Sequence, residues 1–221
     1  MQQTPVRRPF EPVEDTAPQS PTSQRLLSKL RTRQKVMEAA RSLFSEYGYE
    51  ASTIRDIARK AGMSTGAVFA NFQDKSDLFE AVVAEDFDRV AEVMRAAAEG
   101  SAGQPVAERL LSVFGSAYEN GFTDVPLVQA GVSQSWVRPT TLETRARGRV
   151  KVLLGIVGDV LRDAARAGEL RQDFDVRLVS EMLWDTFVGN YRRAAFDAWN
   201  PEQLKMRLGD QLAILVSGLK A

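Results

Sequence analysis

From residue 24 onward, large apolar side chains return every three or four positions, and no alternating run or Asn-Gly hairpin signal suggests a strand. Such a repeat gathers apolar groups on one side only when the backbone is helical. The stretch 24–47 sets Val36, Ala40, Leu43 and Tyr47 on one stripe, with Phe44 beside it, and Gly48 closes it. A short helix capped by Thr53 carries Ile57 and Ala58 and ends at Gly62. After Lys75 a long helix bears Phe79, Val83, Phe87, Val90 and Met94 and stops near Gly100. Pro105 starts another, with Leu110, Leu111, Phe114 and Tyr118. Residues 141–167 place Val150, Leu153, Val157, Val160 and Ala164 on one face, and 175–198 and 201–220 follow. The last carries Leu204, Leu208, Leu212, Leu215 and Leu219 in register. Only 121–135, with Pro126, reads as loose. The expected fold is all-α, a small N-terminal three-helix unit (24–75) followed by a larger helical body (76–221).

The chain has 221 residues but no cysteine and no histidine. Disulfides, thiolate chemistry, Cys/His zinc sites and imidazole bases are therefore excluded. Carboxylate clusters such as Glu85–Asp88 fit a solvated helix face, so no catalytic residue, metal or cofactor is expected. No apolar run approaches the ~20 residues that cross a bilayer. Residues 1–23 hold five of the nine prolines and no apolar core segment, which predicts a disordered tail rather than a secretory signal and a cytoplasmic protein. Arg7 and Arg8 in that tail suit either solvent or a minor groove.

A net charge of zero conceals an uneven distribution. Between Gln24 and Lys75 there are ten Lys and Arg against five Asp and Glu, while the remainder is acidic. A basic segment on an acidic body predicts that one part meets phosphate and the other does not.

The stretch Met63–Phe79, MSTGAVFANFQDKSDLF, lies within the basic part. Ser64 is placed as an N-cap, and Val68 and Phe72 stand four apart to face inward. The outward positions are Thr65, Gly66, Ala67, Ala70 and Asn71, all small and uncharged where a solvated helix would carry Lys and Glu. Two short helices joined through KAGMS, with Gly62 in the turn, make a helix-turn-helix. In that motif the second helix enters the DNA major groove. A bare surface then has a purpose, because carboxylates there would meet phosphates and large side chains would hold the backbone away. Thr65, Ala67 and Ala70 can offer methyl contacts to thymine, and Thr65 can also hydrogen-bond a base. A helical hairpin packing small residues on a neighbour has similar local features.

The run AARSLFSEYGY, TIRDIARKAG, MSTGAVFANF and DKSDLF resembles the N-terminal domain of the TetR family of bacterial transcriptional regulators, over about 50 ungapped residues. The resemblance implies phosphate contacts from Thr53, Ser64 and Lys75, a base or phosphate contact from Arg55, and groove-facing roles for Thr65, Gly66, Ala67 and Ala70. Phe69 stands where the family usually has tyrosine, so a hydroxyl contact to phosphate is absent; a phenylalanine there can also pack on the first helix. Asn71 replaces a common histidine, with an amide able to donate to phosphate.

The resemblance further implies a ligand-binding and dimerisation body and a homodimer on a palindromic operator of double-stranded DNA. Met182, Leu183, Phe187, Tyr191 and the leucine stripe of the last helix are candidates for the dimer interface or the protomer core. Phe114, Tyr118, Phe122, Trp136, Trp184 and Tyr191, with Gln129, Gln134 and Asn190 as polar handles, are candidates for a small-molecule site, although aromatics at helical spacing are more often plain core. The expected function is a repressor released by an amphipathic or aromatic inducer, controlling an efflux or detoxification operon. A corepressor-dependent regulator, an activator and an architectural DNA-binding protein without a ligand are the alternatives.

Overall fold

The computed structural model describes residues 21–137 and 139–220; the tail 1–20, with Arg7 and Arg8, lies outside them. Among the described residues every regular element is a helix, and the β-type pairing is one isolated bridge between Leu170 and Lys220. Helix α1 (Pro21–Tyr47) begins three residues earlier than expected. Proline fixes φ for a first helical turn and needs no partner for a missing N–H, so it opens the helix rather than ending a tail.

Helices α2 (Ile54–Lys60) and α3 (Thr65–Phe69) follow with the caps the sequence suggests. Between them the chain turns at Gly62, whose φ of +68° only glycine adopts without strain. The 26-residue α4 (Lys75–Gly100) is capped by Asp74, which accepts from the Asp77 N–H at 2.8 Å. Val36, Ala40, Phe44, Ile57, Val68 and Phe72 form a core with Leu78, Phe79 and Val82 from the first turns of α4. The N-terminal unit and the body therefore share α4. Tyr47, expected on the buried stripe, is 59% exposed at the last residue of α1.

The body comprises α5 (Val106–Ser116), α6 (Val125–Gln134), α7 (Thr140–Arg166), α8 (Val176–Asp197) and α9 (Pro201–Ser217). Helix α5 passes into a π-helical segment, Ala117–Gly121, closed by Phe122 N–H donating to Ala117 O at 2.9 Å. Gly121 is required there: a Cβ would come within 2.6 Å of Val90 Cγ2 on α4.

The loose region is a correction. Residues 125–134 form α6, with Asp124 as N-cap and Pro126 in the first turn, where proline is tolerated. Leu127 inserts into the N-terminal core, Asp124 hydrogen-bonds Ser45 on α1, and Gln134 donates to Glu50 at 3.1 Å. Thus α6 is a second bridge between unit and body.

Leu183, Phe187, Tyr191, Leu204, Leu208 and Leu212 are buried in the protomer core, and Leu215 and Leu219 pack partly buried against it. Met182 remains exposed on α8 with Leu178, as do Met206 and Ile214 on α9. No helix among the described residues is long and apolar enough to cross a membrane.

Candidate nucleic-acid interface

Two caps set the motif. Thr53 Oγ1 accepts from Asp56 N–H at 3.2 Å while its hydroxyl donates to the Asp56 carboxylate at 2.6 Å. Ser64 Oγ accepts from Ala67 N–H at 3.2 Å. Each cap contributes ~1 kcal/mol to a helix too short to stand alone. Val68 and Phe72 drive into the core, fixing which side of α3 faces out.

The outward side is formed by Thr65, Gly66, Phe69 and Ala70, all exposed, with Ala67 half-buried at its edge. Phe69 is 55% exposed and does not pack away against α1. Arg55 is exposed on α2, whereas its neighbour Arg59 is held by Asp56 at 2.6 Å.

Two expected phosphate contacts are arranged otherwise. The Asn71 amide turns back on its own helix: Nδ2 donates to Ala67 O at 3.0 Å, and Oδ1 is buried. It closes α3 rather than presenting a donor outward. Arg33 supports the same corner, donating to Asn71 O at 3.0 Å and stacking 4.2 Å from the Phe72 ring. Lys75 is half-buried; its Nζ donates to Tyr49 O at 2.9 Å and lies 4.2 Å from the Tyr49 ring centroid. It fastens the α1–α2 turn to the start of α4. Burial raises the Tyr49 phenol pKa, partly offset by its hydrogen bond with Ser76. Buried Ser52, which no sequence signal marked, reaches Gly48 O at 2.8 Å and holds the same turn.

In the body, Phe114, Tyr118, Phe122, Asn190 and Tyr191 meet in one buried cluster with Phe187. Tyr118 and Phe187 rings lie 4.5 Å apart, and Tyr118 and Tyr191 rings 5.3 Å apart. The polar handles are paired internally. Tyr118 donates to Phe187 O at 2.8 Å, Tyr191 to Phe122 O at 3.0 Å, and Asn190 to Gln211 at 2.8 Å. Burial pushes both phenols well above the usual tyrosine range. Trp184 is half-buried at the rim, 6.3 Å from Phe122 and 6.4 Å from Phe87 of α4 between ring centroids. Gln129 is exposed, Gln134 pairs with Glu50, and Trp136 is 86% exposed, so these three stand outside the cluster. All three belong to α6 or its exit, whose docking on α1 the local sequence does not reveal.

The family profile of bacterial regulatory proteins, tetR family, matches residues 36–82, from the middle of α1 to the start of α4. The HTH-type transcriptional repressor AcnR of Corynebacterium diphtheriae is 47% identical over 62 residues, 28% of this chain and 33% of that repressor. The match thus spans about a third of that relative's length. The HTH-type transcriptional regulator UidR of Escherichia coli is 24% identical over 159 residues, 72% of this chain and 79% of its own. Among solved structures, FadR of Bacillus subtilis in complex with stearoyl-CoA superposes with a TM-score of 0.68 at 23% identity, covering 84% of this chain and 98% of that one. Its likeness extends the shared fold through the body. Residues 36–82 thus carry the N-terminal domain of the tetR family of bacterial regulatory proteins, and the body shares its fold with FadR.

Proposed function

We propose that the protein is a cytoplasmic, ligand-responsive transcriptional repressor that binds a palindromic operator as a homodimer and is released by a small amphipathic or aromatic inducer. The observation that carries this reading is the outward face of α3, uncharged and exposed within a helix-turn-helix of the family. Two such helices reach successive major grooves when a dimer spaces them roughly 34 Å apart. Exposed Leu178 and Met182 on α8, with Met206 and Ile214 on α9, supply apolar surface for the second copy.

Helix α4 is the mechanical link. Asp86 ties it to Arg41 of α1, and Glu80 ties it to Arg149 of α7. Phe87 on the same helix touches Phe122, with ring centroids 5.1 Å apart. A ligand entering beside Trp184 would part Phe87 from Phe122 and shift α4, changing the separation of the two reading heads. A coupling of ~1–3 kcal/mol lowers operator affinity 5- to 150-fold. The internally satisfied aromatic cluster gives the unliganded state a well-packed body, which favours release by an inducer over dependence on a corepressor. An efflux or detoxification operon suits an inducer of this chemistry.

The test is footprinting of the full chain on genomic DNA, with and without a panel of planar amphiphiles. Protection of one two-fold symmetric site, relieved by a panel member, supports the proposal. Uniform low-specificity coverage would instead assign the protein to DNA coating and overturn it.

A further inference from the structure

The outer face of α3 holds little that can hydrogen-bond a base. Ser64 Oγ, at the N-cap before the helix, accepts from Ala67 N–H, and Asn71 Nδ2 turns back to Ala67 O. Thr65 is the exposed hydrogen-bonding side chain within the helix itself, and beside it stand Gly66, Phe69 and Ala70. No Lys or Arg lies between Gly62 and Lys75, so α3 cannot make the Arg or Lys contact to O6 and N7 by which guanine is most often read. The largest exposed group of the helix is the Phe69 ring, on the same side as Thr65 four residues earlier.

Gly66 adds an independent observation. Its φ is not positive, and a Cβ built on it would meet nothing nearer than Ser64 Oγ at 3.7 Å. The fold would accept alanine here, so the missing side chain matters to whatever approaches from outside. A glycine between Thr65 and Phe69 lets both lie flat against a partner.

Among major-groove base edges, the apolar feature is the thymine 5-methyl. We infer that α3 reads its half-site chiefly through thymine methyl groups, with Phe69 as the main determinant and Thr65 and Ala70 beside it. This rests on the DNA-binding reading above and goes further by making methyl contact the chief mode of reading and the exposed Phe69 ring its main determinant.

The experiment starts from duplexes selected by the full chain from a random-sequence pool. Each thymine is then replaced singly by deoxyuridine, which keeps every hydrogen-bonding atom and loses only the methyl. At contacted positions affinity should fall about fourfold per methyl. In Phe69→Ala the same replacements should cost less than twofold, and circular dichroism should show unchanged helicity because the ring is outside the core. Deoxyuridine tolerated everywhere, with 7-deazaguanine costly, would overturn the inference. An undiminished methyl effect in Phe69→Ala would overturn the role of Phe69. Failure to select any duplex would remove the DNA-binding reading itself, before a base analogue is used.

Discussion

Arg41 on α1 grips Asp86 on α4 with one guanidinium nitrogen, at 2.8 and 3.0 Å from the two carboxylate oxygens, while its other terminal nitrogen donates to Val82 O at 2.9 Å. Asp86 is buried and also receives Arg89. Such a pair is costly to break from one side, because the remaining charge stays out of water. Because Arg89 still faces Asp86, Arg41→Met should lower unfolding free energy by about 1–3 kcal/mol. A combined Arg41→Met and Asp86→Leu change should lower it by less than the sum of the single losses. Urea denaturation of the three variants measures this.

Lys75 has a structural role and a proposed electrostatic one. Lys75→Ala removes the bond to Tyr49 O and the ring contact, and should cost about 1–2 kcal/mol of stability. If its charge also meets phosphate, the slope of log affinity against log salt should become shallower by about one, similarly for all DNA sequences. A loss of stability without a change in salt slope would confine Lys75 to the structural role.

Gly66→Ala separates folding from recognition. The site has room for a methyl, and alanine favours a helix over glycine by up to about 1 kcal/mol. The variant should therefore melt at a slightly higher temperature while binding its selected duplex more weakly. Thermal denaturation and fluorescence anisotropy read the two effects apart.

The buried phenols predict an alkaline limit. Burial raises the pKa values of Tyr118 and Tyr191, so the fold holds their protons more tightly than the unfolded chain does. The resulting stability is fully present below the unfolded tyrosine pKa of about 10 and is lost as pH rises beyond it. Tyr118→Phe should cost ~1 kcal/mol at neutral pH through the lost bond to Phe187 O, yet weaken this alkaline decline. Urea midpoints measured between about pH 8 and pH 11.5 test the sign.

Local chemistry determined much of this molecule. The spacing of Val36, Ala40 and Phe44, the hydroxyls of Thr53 and Ser64, and the glycine at 62 specified the first three helices within a few residues. Each of these signals acts over a turn or two of backbone, so it is written in consecutive residues. Thr65, Gly66 and Ala70 were legible on the outward face of α3 for the same reason, since Val68 and Phe72 fix its orientation, whereas exposed Phe69 and the inward-turned Asn71 were not.

Only the tertiary structure decided what lies opposite each face. Periodicity marks a stripe as apolar but not whether a neighbour or solvent covers it, so Leu183 became core while Met182 stayed outside. Lys75 finds its acceptor 26 residues away and Gln134 its partner 84 residues away, distances over which no local pattern operates. Helix α6, weakly patterned and opened by a proline, takes its place because Leu127 fills a gap in a core built by other helices. The aromatic residues were visible one by one, but their closure around Phe187 depends on how α5 and α8 pack. Helices form from near neighbours in the chain, whereas pairing and burial depend on neighbours in space.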